Sequence, residues 1–164
     1  MASVTRETLI AARPEDVWAA LQDFQAVHQR LAAGFVVDSR PDGEGARVIT
    51  FFNGAVAREI LVAVDDAERR LVYSVVESAL GFTHYNAAAR VDPAGADGDA
   101  TRFVWTIDLL PDDAAAYVAP LMEQGLEAIR TTLEATADPT PTATATAAPS
   151  TAAPATAPAL DPSR

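Results

Sequence analysis

Hydrophobic positions recur along residues 3–134 with two different periods, and the switches between periods mark the elements. Residues 3–11 alternate loosely and predict a strand. Arg13-Pro14-Glu15-Asp16 then reads as a helix start, with proline in the first turn and acids set against the macrodipole. Val17, Trp18, Leu21, Phe24, Val27 and Leu31 keep helical spacing, which predicts one broken helix or two short ones sharing a buried stripe. From Gly34 the period falls to two. Strands are expected at 35–39, 47–52 and 56–64, joined by the turns Pro41-Asp42-Gly43-Glu44-Gly45 and Asn53-Gly54. Residues 71–78, 82–91 and 102–110 complete the strand set, the last two separated by a polar loop at 92–100. Pro111-Asp112-Asp113 opens a long amphipathic helix whose stripe, Tyr117, Val118, Leu121, Met122, Leu126, Ile129 and Leu133, runs on to about Glu134.

The order is therefore strand, short helices, six strands, long helix. Hairpin-length connections make the sheet mostly antiparallel, and a long helix must bury its stripe, for which a curved sheet offers a concave face. A sheet wrapped around one helix closes imperfectly, so a cavity for a small apolar ligand is expected between them. The periodicity ends after Ala137, where the chain continues in Ala, Thr and Pro to Arg164. The expected organisation is one domain over residues 1–136 and a disordered Ala/Thr/Pro-rich tail over 137–164. Pro139, Pro141, Pro149, Pro154, Pro158 and Pro162 oppose both helix and ladder, and almost no large apolar side chain offsets the ordering entropy.

Composition narrows the chemistry. The chain has 164 residues, 49% hydrophobic and 21% charged, which fits one globular domain and excludes a wholly disordered chain. The absence of cysteine removes a thiolate nucleophile, a thiolate metal site and a disulfide framework. All 12 basic residues are arginine, so Schiff-base chemistry and a Walker-type phosphate lysine are excluded. A net charge of -11 with scattered arginines argues against nucleic acid as a partner. No run of about 18 apolar residues spans a membrane, and the first ten residues lack a signal-peptide pattern, so a cytoplasmic location is expected. His28 and His84 fall on different elements without HxH or HExxH spacing, and no metal or cofactor is expected. No Gly-x-Ser-x-Gly elbow supports acyl chemistry.

The element order, with Arg13-Pro14-Glu15-Asp16-Val17-Trp18, Gly45-Ala46-Arg47-Val48-Ile49-Thr50-Phe51, Glu59-Ile60-Leu61-Val62-Ala63-Val64-Asp65-Asp66 and Tyr85-Asn86-Ala87-Ala88-Ala89, resembles the helix-grip superfamily. That group includes START lipid-transfer domains, birch-pollen-allergen-like proteins, plant abscisic-acid receptors and bacterial polyketide cyclase/dehydrase-like proteins, and the chain is most similar to the last branch. The resemblance covers residues 3–135 and implies an α+β fold. In it, a curved seven-stranded antiparallel sheet wraps around the long C-terminal helix, with two short helices after the first strand. It specifies chemistry poorly, because such folds host many functions.

Glu59 stands mid-strand among apolar residues. In the receptor branch the matching glutamate faces the pocket, where it would anchor a ligand hydroxyl or act as general acid/base once desolvated. The alternative is an ion pair with Arg47 on the outer sheet face. A strict two-residue Asn53-Gly54 turn points Arg47 and Glu59 to opposite faces, whereas an odd loop or bulge brings them together. Tyr85 fits the receptors' pocket-lining tyrosine, although here asparagine follows it. Alternation groups Tyr85 with Ala87, Ala89 and Val91, and Phe103 with Trp105, Ile107 and Leu109; Tyr73 and Val75 belong on the same side. Glu77 is expected on a solvated rim and His84 at the pocket mouth or on the surface. The receptors anchor an acid group with lysine, which this chain would have to replace with Arg47 or Arg40.

The expected ligand-lining set is Arg47, Phe51, Glu59, Leu61, Tyr73, Tyr85, Ala87, Trp105, Met122 and Leu126, with Glu59 and Tyr85 as the catalytic candidates if a reaction occurs. Three functions remain open: a binder of a small hydrophobic or aromatic metabolite, a polyketide cyclase/dehydratase-type enzyme using the same cavity, and a structural or regulatory partner with a filled core. The chain is expected to act as a monomer or homodimer.

Overall fold

The computed structural model describes residues 1–137. Strand β1 (Ala2–Ile10) leads into helix α1 (Pro14–Gln22), which Pro14 opens at its first position and whose register breaks at Asp23, at φ -75° and ψ 70°. A 3-10 turn (Phe24–Ala26) and a π-helical turn (Val27–Leu31) follow, so the single apolar stripe spans three short helical pieces. Then come β2 (Val36–Pro41), β3 (Ala46–Phe51), β4 (Val56–Asp65), β5 (Arg70–Ser78), β6 (His84–Ala94) and β7 (Ala100–Leu110). A 3-10 turn (Asp112–Ala114) runs into α2 (Ala115–Ala137). The sheet order is β1-β7-β6-β5-β4-β3-β2, antiparallel at every step.

This is the helix-grip architecture that the resemblance implied, with the element order that the pattern predicted. Register shifts at Val36/Asp38 in β2 and at Arg58/Glu59 and Leu61/Ala63 in β4 mark irregularities that bend and twist strands. The boundaries moved by a few residues. Phe35 and Phe82 precede their strands instead of opening them, and β6 extends to Ala94 because its long hairpin with β7 keeps pairing to Ala94↔Ala100. Ala137 is helical, and the expected tail lies outside the described residues beyond it.

Helix α2 buries Val118, Met122, Gly125, Leu126, Ile129 and Leu133, one stripe of helical period. Two apolar clusters form beneath it. The larger unites α1 and its following turns with Ile49, Leu71, Phe103, Leu126 and Ile129, and the smaller holds Val4, Ala87, Ile107, Leu109, Val118 and Met122. α1 is fastened to the far end of the sheet by Trp18 and Gln22, which donate to Asp66 Oδ1 at 3.1 and 2.9 Å.

Candidate functional site

The β3–β4 hairpin decides where the charged side chains point. Its last pair is Thr50↔Val56, and the loop between them is closed by the Phe51 N–H on the Ala55 carbonyl at 2.8 Å, with Gly54 at φ +82°. That loop has an odd number of residues, so Arg47 sits directly opposite Glu59 and both face the concave side. The two readings of Glu59 are thus combined: it pairs with Arg47, and the pair lies on the inner face, not the outer one. Arg47 is 6% exposed and Glu59 3%.

The pair is tightly built. Arg47 Nε donates to Glu59 Oε2 at 2.7 Å, Arg47 Nη2 lies 2.6 Å from the same oxygen, and Nη1 donates to the Phe24 carbonyl. The guanidinium carbon stands 3.7 Å from the centre of the Phe24 ring. Arg47 therefore ties the turn after α1 to the sheet through a hydrogen bond and a cation–π contact. Burial raises the Glu59 carboxyl above its ordinary range, and Arg47 offsets part of that rise.

Around this pair is a cavity of about 160 Å³. Ile49, Phe51, Ala57, Val75, Ala89 and Phe103 supply its sheet wall, Met122, Gly125 and Ile129 its helix wall, and Phe24, Val27, Leu31 and Phe35 one side. Phe52, Val56, Leu80 and Tyr117 stand about half exposed at its mouth. Arg47 lies five residues from Phe52 along the hairpin, roughly 15 Å at strand rise, so the ion pair marks the inner end. Tyr73 and Tyr85 also line the space, with Tyr85 packed on Phe82 at 4.9 Å between ring centres. Burial pushes both phenols well above the ordinary tyrosine range, and the nearby Glu59 charge pushes the same way. The Tyr85 hydroxyl and the second Glu59 oxygen have no hydrogen-bond partner among the described residues.

Of the ten expected lining residues, Arg47, Phe51, Glu59, Tyr73, Tyr85, Trp105 and Met122 reach the cavity, and three do not. Ala87 is fully buried in the smaller cluster with Ile107, Val118 and Met122 and does not itself reach the cavity wall. Leu126 turns one residue past Gly125 into the larger cluster. Leu61 lies beyond the ion pair, where its N–H bonds the Gly45 carbonyl at 2.7 Å and the strand closes the inner end. Arg40 is exposed on edge strand β2 beside Asp38 at 3.4 Å, so it takes no part. His84 and Glu77 are exposed and outside the wall.

Sequence reasoning missed Phe24, Phe35 and Gly125 as wall residues. The aromatic pair carried no signal distinguishing wall from core. Gly125 did, since a glycine inside a long helix costs about 1 kcal/mol relative to alanine and calls for a packing reason. A Cβ there would lie 3.0 Å from Trp105 Cζ3 and 3.2 Å from Phe35 Cε1, so the missing side chain is what lets these rings approach α2.

The family model for polyketide cyclase / dehydrase and lipid transport matches residues 1–134. The chain belongs to that family. No curated protein sequence matches it. Among solved structures, an uncharacterised protein from Bacillus thuringiensis superposes with a TM-score of 0.70 at 21% identity, covering 80% of this chain and 98% of its own. A START superfamily protein from Mycobacterium smegmatis gives 0.62 at 18% identity, covering 82% and 96%. Norcoclaurine synthase from Thalictrum flavum gives 0.59 at 21% identity, covering 79% and 91%. At these identities the likeness is one of fold. No helix among the described residues is long and apolar enough to cross a membrane.

Proposed function

We propose that this family member binds a small, mainly apolar molecule in the cavity between the sheet and α2. The observation that carries this reading is a hollow about 160 Å³ in size, walled by apolar side chains yet holding a buried ion pair at its inner end. A domain needing only stability gains little from such a pair, because desolvation offsets most of its Coulomb attraction, and gains nothing from unfilled volume. Space of this order in an apolar cavity admits a single aromatic ring. The half-exposed apolar rim of Phe52, Val56, Leu80 and Tyr117 provides a route in.

The test is binding of toluene, followed by NMR on the full chain. Saturable binding is expected in the wild type and its loss in Ala89→Leu, which projects new methyl groups from the cavity wall. A folded wild type that takes up no toluene overturns the reading.

One observation favours a second reading, proton-transfer catalysis of the cyclase/dehydratase kind: Glu59, Tyr73 and Tyr85 are three titratable groups lining one cavity. Turnover of a poly-β-ketone chain, lost in Tyr85→Phe with toluene binding kept, would establish it. Binding remains the primary reading, because Arg47 beside Glu59 lowers the basicity of the carboxylate that would act as base.

A further inference from the structure

The polar inner end has a composition that selects among ligands of equal size. Arg47 is the sole positive group on the cavity wall among the described residues, and it is already committed. Two of its nitrogens contact Glu59 Oε2 at 2.7 and 2.6 Å, a third donates to the Phe24 carbonyl, and one face of the guanidinium is covered by the Phe24 ring. An incoming anion would meet a guanidinium whose charge is cancelled and a carboxylate beside it. It would therefore be desolvated without a free counter-charge, the most costly way to bury an ion.

A hydrogen-bond donor meets the opposite situation. Both Arg47 contacts land on one oxygen of Glu59, a residue of the cavity wall, and no hydrogen bond engages its other oxygen among the described residues. Tyr85 lines the same space with a hydroxyl unpartnered among the described residues, able to donate to or accept from a ligand oxygen.

Resting on the reading of this cavity as a small-molecule site, we propose that the Arg47–Glu59 pair acts as a charge filter. The cavity takes an uncharged, single-ring-sized aromatic molecule whose hydroxyl donates to the free Glu59 oxygen, and it excludes carboxylates of the same shape.

Toluene, p-cresol and p-toluate differ only at one ring position and separate the cases. With the wild-type full chain, p-cresol is expected to bind roughly tenfold more tightly than toluene, the size of a hydrogen bond to a charged acceptor. Binding of p-toluate should be at least tenfold weaker than that of toluene. If toluene binds but p-toluate matches or exceeds p-cresol, or p-cresol gains nothing over toluene, the filter is overturned while the cavity reading stands. If none of the three binds, both fail.

Glu59→Gln uncovers the Arg47 charge and should raise p-toluate affinity tenfold or more over wild type. Should that variant not fold, Arg47→Met combined with Glu59→Leu removes both charges together. Its p-cresol affinity should fall to that of toluene, measured side by side on the same variant. Retention of the p-cresol advantage in the double variant overturns the proposal.

Discussion

Arg47 and Glu59 are paired inside an apolar wall, and their burial sets them apart from the exposed ion pairs of the domain. Removing one partner leaves the other buried and uncompensated, so Arg47→Met or Glu59→Leu alone should each cost about 3–5 kcal/mol in chemical denaturation. The double replacement should recover most of that loss, and an additive double-mutant cycle would show that the pair is not energetically coupled. Tyr73 and Tyr85 give a pH signature. Their phenols are raised in the folded state, so above the ordinary value near 10 the native state holds more protons than the unfolded chain. Stability therefore falls as pH rises through and beyond that value. Both phenolates should appear in an ultraviolet titration only together with unfolding; their ionisation in a chain that is still folded would contradict the burial described.

Elements differ in how much change they tolerate, and the difference follows the cavity. Ala87 and Ala89 share one face of β6, yet Ala87 is fully buried off the cavity wall and Ala89 borders the void. Ala87→Phe should destabilise by about 1–3 kcal/mol through overpacking, whereas Ala89→Leu should lower the melting temperature much less. An equal loss at both positions would mean that the void is not accessible to a side chain. On α2, Gly125→Ala sets a helix-propensity gain of about 1 kcal/mol against the close approach of Trp105 and Phe35. The rings cannot yield as a flexible chain end would, so a net loss of about 1 kcal/mol and weaker toluene binding are expected. A gain in stability at unchanged affinity would show that α2 can move away from the sheet at little cost.

For the molecule as a whole, the family match ends at residue 134 and the last described helical residue is Ala137. The composition beyond it offers almost no apolar surface to the domain. Ending the chain after Ala137 should leave the melting temperature and toluene binding unchanged. A drop of several degrees would mean that residues 138–164 contribute to the fold.

Much of the architecture was legible in the chain. The change from period 3.6 to period 2 after Leu31, the glycine-bearing turns between strands and the single long stripe from Val118 to Leu133 specify one helix on an antiparallel sheet, because burial of an apolar face leaves few other arrangements. Seven of the ten proposed wall residues followed from the same alternation and the resemblance. The remaining decisions were tertiary. Whether Arg47 and Glu59 shared a face turned on the parity of one hairpin loop, and a single residue more or less there would have sent Glu59 to solvent. Whether Ala87, Leu126 and Leu61 touched a void depended on how closely α2 and the strands approach at each level. Sequence periodicity reports which side of an element is buried; only the packed structure determines whether that side meets another side chain or an empty space.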